Sequence, residues 1–270
     1  MENKTILLFA LSTAVLAIVS AFLYQDRRGL ADKLAQTIAQ NQVPTNTVKM
    51  TVVTVNQSDD FYNIQAEYPQ IGSANPEFNQ KITSTINGLI EDFKKEAKDN
   101  FDARNATMPA DQPQLEKPEQ PFDFVAFWTP AQISPRYASF IIDIYYFTGG
   151  AHGIDQLFAF NYDLQDKKEI SIIDFLGGQA GLDKLARLAQ DRVTSQLQSA
   201  GLQANDFLTQ MIADGTAPKT DNYRNFTFGF DKLTIYFEQY QVAPGAAGTV
   251  TVTLYKNELE QNYINPDYLN

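Results

Sequence analysis

An unbroken apolar run is the first pattern along the chain. The nineteen residues 6–24 carry no charge, and Gln25-Asp26-Arg27-Arg28 follows them. At about 1.5 Å per residue, a helix of this length spans the hydrocarbon core of a bilayer. Cleavage by a signal peptidase after Ala21 is one interpretation. An uncleaved anchor explains better why the run continues to the aromatic Tyr24. We therefore predict a membrane anchor or signal sequence in residues 1–28.

A polar, Gln-rich stretch comes next, residues 29–44, and we interpret it as a stalk. After it, apolar residues recur at every second position. Apolar and polar residues alternate in the segments 48–54 and 61–69. Ser58-Asp59-Asp60 lies between them and favours a turn. The pattern predicts a β-hairpin. Its first strand is expected to place four residues on one face: Val48, Met50, Val52 and Thr54.

Helical spacing appears in three segments. The first starts at Asn75-Pro76, with Asn75 as the expected cap, and carries a long apolar stripe. The second ends at Gly201, and a short third helix runs from Asn205-Asp206 to Ala213. The first stripe consists of Ile82, Ile86, Leu89, Phe93, Ala97 and Phe101, and the second of Leu182, Leu185, Leu188 or Ala189, Val193 and Leu197.

The remaining apolar segments read as strands. Residues 122–133 and 136–147 are rich in aromatic and β-branched side chains. The second segment is apolar on both faces, as an interior strand would be, with Ile141 and Tyr145 on the face that Asp143 interrupts. A buried Asp143 would need a partner, so it is either hydrogen-bonded scaffolding or part of a site. Further strands are predicted around Phe158–Tyr162 and at 223–230, 233–238 and 249–255. We predict an α+β fold, in which an N-terminal transmembrane helix precedes antiparallel sheets packed with two long amphipathic helices and one short helix.

Proline density divides the soluble part. Four of the twelve prolines fall in residues 109–121, too many for a helix or a central strand. We predict an extracytoplasmic domain at 45–258, with sub-regions 45–108 and 122–258 joined by this segment, and a tail at 259–270.

Charge and composition narrow the possible functions. The chain holds 21 basic and 32 acidic side chains, a net charge of −11, and residues 29–270 hold 18 and 30, a net charge of −12. Such acidity argues against nucleic-acid binding and either steers a cationic partner or only keeps the protein soluble. The chain has no Cys and one His, which excludes thiolate and multi-His metal sites. We expect no cofactor and no bound metal.

The sole histidine lies in the most distinctive motif, Thr148-Gly149-Gly150-Ala151-His152-Gly153. Three glycines in five residues permit positive φ or close backbone approach. His152 serves either to hold this turn together by a hydrogen bond to the backbone or to contact a ligand. No serine lies in a nucleophile elbow, and no catalytic residue is assigned. The candidate ligand-binding residues are His152, Gly149, Gly150, Gly153 and Asp155.

Four segments carry a resemblance to a known family: Tyr146–Gly153, Asn161–Leu164, Ile170–Phe175 and Phe237–Gly248. They resemble an extracytoplasmic domain of unknown function. This domain forms the ectodomain of RsiV-like, lysozyme-sensing anti-sigma factors and the N-terminal region of PdaC-like peptidoglycan deacetylases. The resemblance implies an α+β ectodomain that faces the cell wall and binds a protein or a glycan there. Only five residues precede the apolar run 6–24, and no deacetylase domain is expected after residue 258, so neither anti-sigma nor deacetylase activity is carried over.

The expected function is that of a membrane-tethered, extracytoplasmic binding or sensing module of the bacterial cell envelope. Residues 6–24 would hold it in the membrane as a single-pass protein, or it would be secreted or periplasmic after cleavage. Its ligand is expected to be either a cationic, lysozyme-like wall-degrading enzyme or peptidoglycan. Two alternatives stay open. One is a wall-active hydrolase that uses carboxylates and His152, and the other is a scaffold in a membrane complex.

Overall fold

Six strands form one sheet, in the order β1-β2-β3-β4-β5-β6, in the computed structural model. The structure describes residues 48–72, 74–109, 112–150 and 152–268. All neighbouring strands are antiparallel except β2 and β3, which are parallel. The strands are β1 (Met50–Ser58), β2 (Tyr62–Ile71), β3 (Phe122–Ile133), β4 (Tyr137–Phe147), β5 (Ile154–Asp163) and β6 (Lys168–Glu169).

The parallel pair of β2 and β3 departs from the predicted antiparallel sheets. Parallel neighbours need a long crossover, and here the helix α1 (Pro76–Ala106) and the proline-rich segment supply it. The Asn105 side chain holds that segment, since it donates to the Leu115 carbonyl oxygen at 2.7 Å and accepts from the Leu115 N–H at 3.0 Å. The chain returns where the Phe122 N–H donates to the Phe61 oxygen. Strands from both sides of the segment thus share one sheet.

Helix α1 covers one face of this sheet with its apolar stripe, as the spacing predicts. Leu89 is only half-buried, and Phe78 and Ile90 extend the buried stripe beyond the predicted positions. The Phe78 ring stacks on Tyr162, with centroids 4.2 Å apart. Asn75 precedes the helix, but its side chain makes no capping hydrogen bond, which corrects the expected cap. The Asn79 side chain binds backbone groups of Ile71 and Gly72 instead, and so ties α1 to the end of β2.

A second sheet of three antiparallel strands and the remaining helices enclose another core. Ser139 and Asn161 join the two sheets: the Ser139 hydroxyl accepts from the Phe228 N–H, and the Asn161 amide donates to the Phe226 oxygen. These elements match the predicted strands and helices in type and order, although the first strand is shorter than the predicted segment 223–230 and two one-turn helices are additional. They are α2 (Ile172–Phe175), α3 (Gln179–Ser199), α4 (Asp206–Gly215), β7 (Phe226–Phe228), β8 (Lys232–Phe237), β9 (Val250–Tyr255) and α5 (Lys256–Leu259).

Within β1, the alternating set of residues that contains Val53 packs against the core. Val53 and Val55 are half-buried against the core under α1. Met50 and Val52 are 39% and 46% exposed. Both alternating sets of β1 contain valine, so the sequence pattern could not decide which set packs against α1.

The segment after β9 packs into the second core. Ile264 and Tyr268 are 2% and 3% exposed, and the Tyr268 ring stacks on Phe175 at 5.7 Å. Leu259, Ile264 and Tyr268 therefore contribute to the hydrophobic core, which corrects the expected tail at 259–270.

Among the described residues, no helix combines the length and hydropathy needed to cross a bilayer. The predicted anchor or signal sequence and the predicted stalk, residues 1–44, lie outside the described part of the chain.

Candidate functional site

The glycine-rich motif forms the connection between β4 and β5, and Thr148 fixes its start. Thr148 is 7% exposed. Its side-chain oxygen accepts from the Asn100 amide at 3.1 Å, and its hydroxyl donates to Glu96 at 3.1 Å. Both partners lie on α1, so the loop begins at a point tied to the helix.

Two of the glycines lie directly against aromatic rings. Gly149 has φ +89°, in the left-handed region that glycine favours, and a Cβ there would lie 3.0 Å from the Phe122 ring. A Cβ on Gly153 would lie 2.2 Å from the Tyr145 ring. Gly150 has no such constraint, since the nearest atom to its Cβ position would be the His152 oxygen at 3.8 Å.

His152 is exposed, and its Nδ1 lies 2.9 Å from the Gly153 carbonyl oxygen. Because a carbonyl oxygen only accepts, Nδ1 carries the proton in this contact. This contact is of the kind expected for a turn-holding histidine, while the ring is still accessible to a ligand. Asp155 is also exposed, and it lies opposite Tyr145 in the β4–β5 ladder.

Strand register gathers acidic and aromatic side chains on the sheet face that points away from α1. Tyr146 packs toward the helix, in contact with Phe93, so its neighbours along β4 point the other way. The pairs Asp123–Phe147 and Tyr145–Asp155 extend this row across three strands. We call this surface the carboxylate face. It consists of Asp123, Asp143, Tyr145, Phe147 and Asp155.

The pKa of Tyr145 responds to two of these carboxylates. Burial raises the pKa of the Tyr145 phenol, and the negative charges of Asp155 and Asp123 raise that pKa further. On the adjoining small sheet, burial raises the pKa of Tyr236, and Asp143 adds to the increase. Asp123 also accepts a hydrogen bond from Asn63 at 3.0 Å.

The positions of β2, β3, β4 and β5 that point to this face carry no basic residue. On β2 the same side presents Asn63, Gln65 and Glu67, and on β3 it presents Val125 and Phe127 beside Asp123. Most of these side chains are half-buried, so each of them is partly accessible to solvent. The arrangement can accept hydrogen bonds and attract positive charge, and its aromatic rings can pack against an apolar or cationic side chain.

A separate, open depression of about 620 Å³ lies at the β1–β2 turn, and none of the predicted site residues lines it. There the N–H groups of Tyr62 and Phe61 donate to Asp59 and lower the pKa of its carboxyl group. Within the part of the chain that the structure describes, no group of three or more His, Asp or Glu side chains is placed to hold a metal ion.

Comparisons with known proteins match both halves of this architecture. Residues 55–155 match the family model "Deacetylase PdaC", and residues 175–257 match "Protein of unknown function (DUF3298)". The predicted resemblance to the PdaC-like region is confirmed. The carboxylate face and all five predicted ligand-binding residues fall in the PdaC-like part, while the DUF3298-like part forms α3, α4 and the small sheet.

One curated relative is the peptidoglycan-N-acetylmuramic acid deacetylase PdaC of Bacillus subtilis, 26% identical over 243 residues. The match covers 86% of this chain but only 47% of that enzyme, so the chain spans about half the length of this relative. A DUF3298 family structure from Bacteroides fragilis aligns with a TM-score of 0.57 at 15% identity, covering 83% of this chain and 96% of that one. This second likeness shows the fold alone.

Sequence reasoning found part of this surface and missed the rest. It singled out Asp155, and it marked Asp143 as an acid inside an apolar strand. The pattern predicts Tyr145 only as an apolar strand position, and it gives no sign of Asp123, which lies far from the motif in sequence. Alternation along β4 does place Asp143, Tyr145 and Phe147 on one side, so the pattern carried a usable signal. The pairing with Asp123 required the strand order.

Proposed function

We propose that this chain is a non-catalytic binding module of the bacterial cell envelope and that it docks a cationic protein on the carboxylate face. The observation that supports this proposal most is the cluster of three aspartates around Tyr145, with no basic residue among the neighbouring strand positions. Such a surface attracts a positively charged partner and repels an anionic one.

The cell-envelope location rests on the relatives. The PdaC relative acts on peptidoglycan by its printed name, and the present chain is similar to about half of it. We propose the same extracytoplasmic location here, with residues 6–24 as a membrane anchor or as a signal sequence that is removed. The RsiV-like resemblance then leads to a specific partner class, a cationic wall-degrading enzyme such as a lysozyme.

Charge supports this partner class in two ways. The net charge of −12 on residues 29–270 raises the rate of encounter with a cationic protein at low salt. The aspartates of the carboxylate face would then form short-range pairs with lysine or arginine side chains, while Tyr145 and Phe147 offer ring faces to the same groups. The faster encounter depends on the net charge of the whole domain, whereas the ion pairs and ring contacts depend on the carboxylate face.

Binding of hen egg-white lysozyme to the immobilised full chain tests the proposal. We expect saturable binding at about 20 mM salt that weakens at about 150 mM, because a shorter screening length reduces the attraction. An equally large, neutral or acidic protein is the control and should not bind. Absence of lysozyme binding at both salt concentrations would remove this partner.

The hydrolase alternative makes a different prediction. A wall hydrolase that used His152 would release soluble fragments from purified peptidoglycan and would lose this activity in the His152→Ala variant. The binding module is expected to release none. Release that survives His152→Ala would place catalysis on the carboxylates alone and would contradict the non-catalytic proposal.

A further inference from the structure

The strand β1 has one free edge among the described residues, because it is the terminal strand of the sheet and pairs only with β2. Two hydrogen bonds show which residues face β2: the Asp59 N–H donates to Tyr62, and the Lys49 oxygen accepts from Gly72. Backbone groups alternate sides along a strand, so the odd-numbered residues face β2. The outward N–H and C=O groups therefore belong to Met50, Val52, Thr54, Asn56 and Ser58.

This edge lacks the features that usually prevent strand addition. Natural edge strands are kept short or carry charged residues, prolines or bulges. Here nine consecutive residues pair with β2 without a register shift, from Met50 opposite Ile71 to Ser58 opposite Asn63. The segment Met50–Ser58 contains no charged residue and no proline. It is a regular, accessible template for another strand.

Charges flank this neutral strand in a self-complementary way. Lys49 lies just before it and Asp59 just after it, and both residues are exposed. In an antiparallel pair of two identical strands, the start of one strand meets the end of the other. Lys49 of one copy would then lie opposite Asp59 of the second copy, and the same pair would recur at the other end.

We propose that two copies of this chain associate through β1, antiparallel and about a two-fold axis at Thr54. Of the possible registers, this one pairs all nine residues and opposes Lys49 to Asp59 twice. Val53 meets Val55 twice on the side that faces α1, so two apolar pairs add to the half-buried contacts of these valines. The interface is isologous, as two-fold dimers require.

The identity of the occupant follows from charge. Two domains of net charge −12 repel each other over most of their surfaces. The β1 edge is neutral along its length and carries opposite charges at its two ends, so a second copy fits it without like-charge contact. This proposal goes beyond the proposed function and does not depend on the carboxylate face.

Single-cysteine crosslinking tests the register, since the chain has no cysteine of its own. Thr54 pairs with Thr54 of the second copy, and such a hydrogen-bonded pair has a Cα–Cα distance of about 5.5 Å, within disulfide range. The full-length Thr54→Cys variant in detergent should form a disulfide dimer under mild oxidation. Thr51→Cys and Ser58→Cys are the matched controls on the same strand.

In the proposed register the two copies of Thr51 lie about 20 Å apart and those of Ser58 about 26 Å apart, too far for a disulfide. We expect Thr54→Cys to crosslink at least about tenfold faster than either control. A mixture of the Thr51→Cys and Gln57→Cys variants should crosslink with each other, because these two residues are opposite in that register.

A charge reversal provides an independent measurement. Lys49→Glu in the Thr54→Cys background places two acidic residues opposite each other at both ends and should slow crosslinking several-fold, with an unchanged melting temperature. Equal crosslinking rates for Thr54→Cys, Thr51→Cys and Ser58→Cys would overturn the proposal, and so would a lack of crosslinking between Thr51→Cys and Gln57→Cys.

Discussion

Gly153 lies directly against the ring of Tyr145, so close that a Cβ on residue 153 would stand 2.2 Å from the Tyr145 Cε2 atom. This contact joins the glycine-rich loop to the carboxylate face. Asp155, two residues later, pairs with Tyr145 across the ladder. The loop that the sequence motif marks and the acidic surface that the strand register assembles are therefore parts of one structural unit.

The Gly153→Ala variant tests this contact. The added methyl group must displace the Tyr145 ring or the backbone, and overpacking of this kind costs about 1–3 kcal/mol of unfolding free energy. Gly150→Ala in the same loop is the control, since its Cβ would meet nothing closer than 3.8 Å. Denaturant unfolding of both variants measures the difference. Equal stability of the two would show that Tyr145 does not pack on Gly153.

The Asp59 turn predicts a dependence of stability on acid pH. Its carboxylate accepts N–H groups from Phe61 and Tyr62, each at 2.8 Å, and the pKa of Asp59 is lowered from 3.8. A lowered pKa stabilises the fold above pH 3.8, and this stabilisation is lost as the pH falls through the folded-state pKa. Asp59→Ala should therefore lower the unfolding free energy at pH 7 by about 1 kcal/mol.

Asp59→Asn is the matched variant, because its amide oxygen can still accept both N–H groups. It should retain part of the stability that alanine loses. In urea titrations, the gap in unfolding free energy between wild type and Asp59→Ala is expected to narrow as the pH falls through the lowered folded-state pKa of Asp59. A gap that stays constant with pH would show that the charge of Asp59 contributes nothing.

Tyr268 tests whether the C-terminal segment belongs to the core. The ring is 3% exposed and packs against Tyr137, Phe175 and Phe228. Truncation of a buried aromatic side chain to alanine typically costs about 3–5 kcal/mol, so Tyr268→Ala should lower the melting temperature by many degrees. Phe207→Ala, which removes a ring that is 67% exposed, should change it little. Similar melting temperatures for both variants would contradict the packing of this segment.

The same tyrosine predicts a loss of stability at high pH. Burial raises the pKa of Tyr268 from 10.0 to about 12. A raised pKa stabilises the fold fully below pH 10, and the stabilisation is lost as the pH rises toward the folded-state value, because the unfolded state releases the proton first. Tyr268→Phe removes this group, so its unfolding free energy should fall less steeply between pH 10 and 12. Identical slopes would place the alkaline sensitivity in other tyrosines.

The local pattern of apolar residues is sufficient to predict a helix or a strand where one side of that element is clearly apolar. The stripe from Ile82 to Phe101 placed α1, and the alternation Val250, Val252, Leu254 placed β9, whose burial alternates in the same way. Asn205 caps α4 through the Leu208 N–H, as its position before the helix indicates.

Features that depend on tertiary contacts could not be read from the pattern. Val53 and Val55 face the core rather than Met50 and Val52 because of how β2 and α1 are placed, and the sequence of β1 is apolar on both sides. Asn75 precedes α1 as a cap residue should, yet its side chain makes no capping bond. The meeting of Asp123 with Tyr145 requires the order β3-β4-β5, which no single strand encodes.

Affinity for lysozyme in matched charge variants tests the central claim most directly. The double variant Asp123→Asn/Asp155→Asn removes two charges from the carboxylate face, and Asp191→Asn/Asp214→Asn removes two exposed charges from α3 and α4. Both pairs change the net charge equally, so the long-range attraction is matched. Titration calorimetry at about 20 mM salt should show a Kd about five- to thirtyfold weaker for the first variant and nearly unchanged for the second. Equal loss in both, or no loss in either, would contradict the assignment of the binding surface to the carboxylate face.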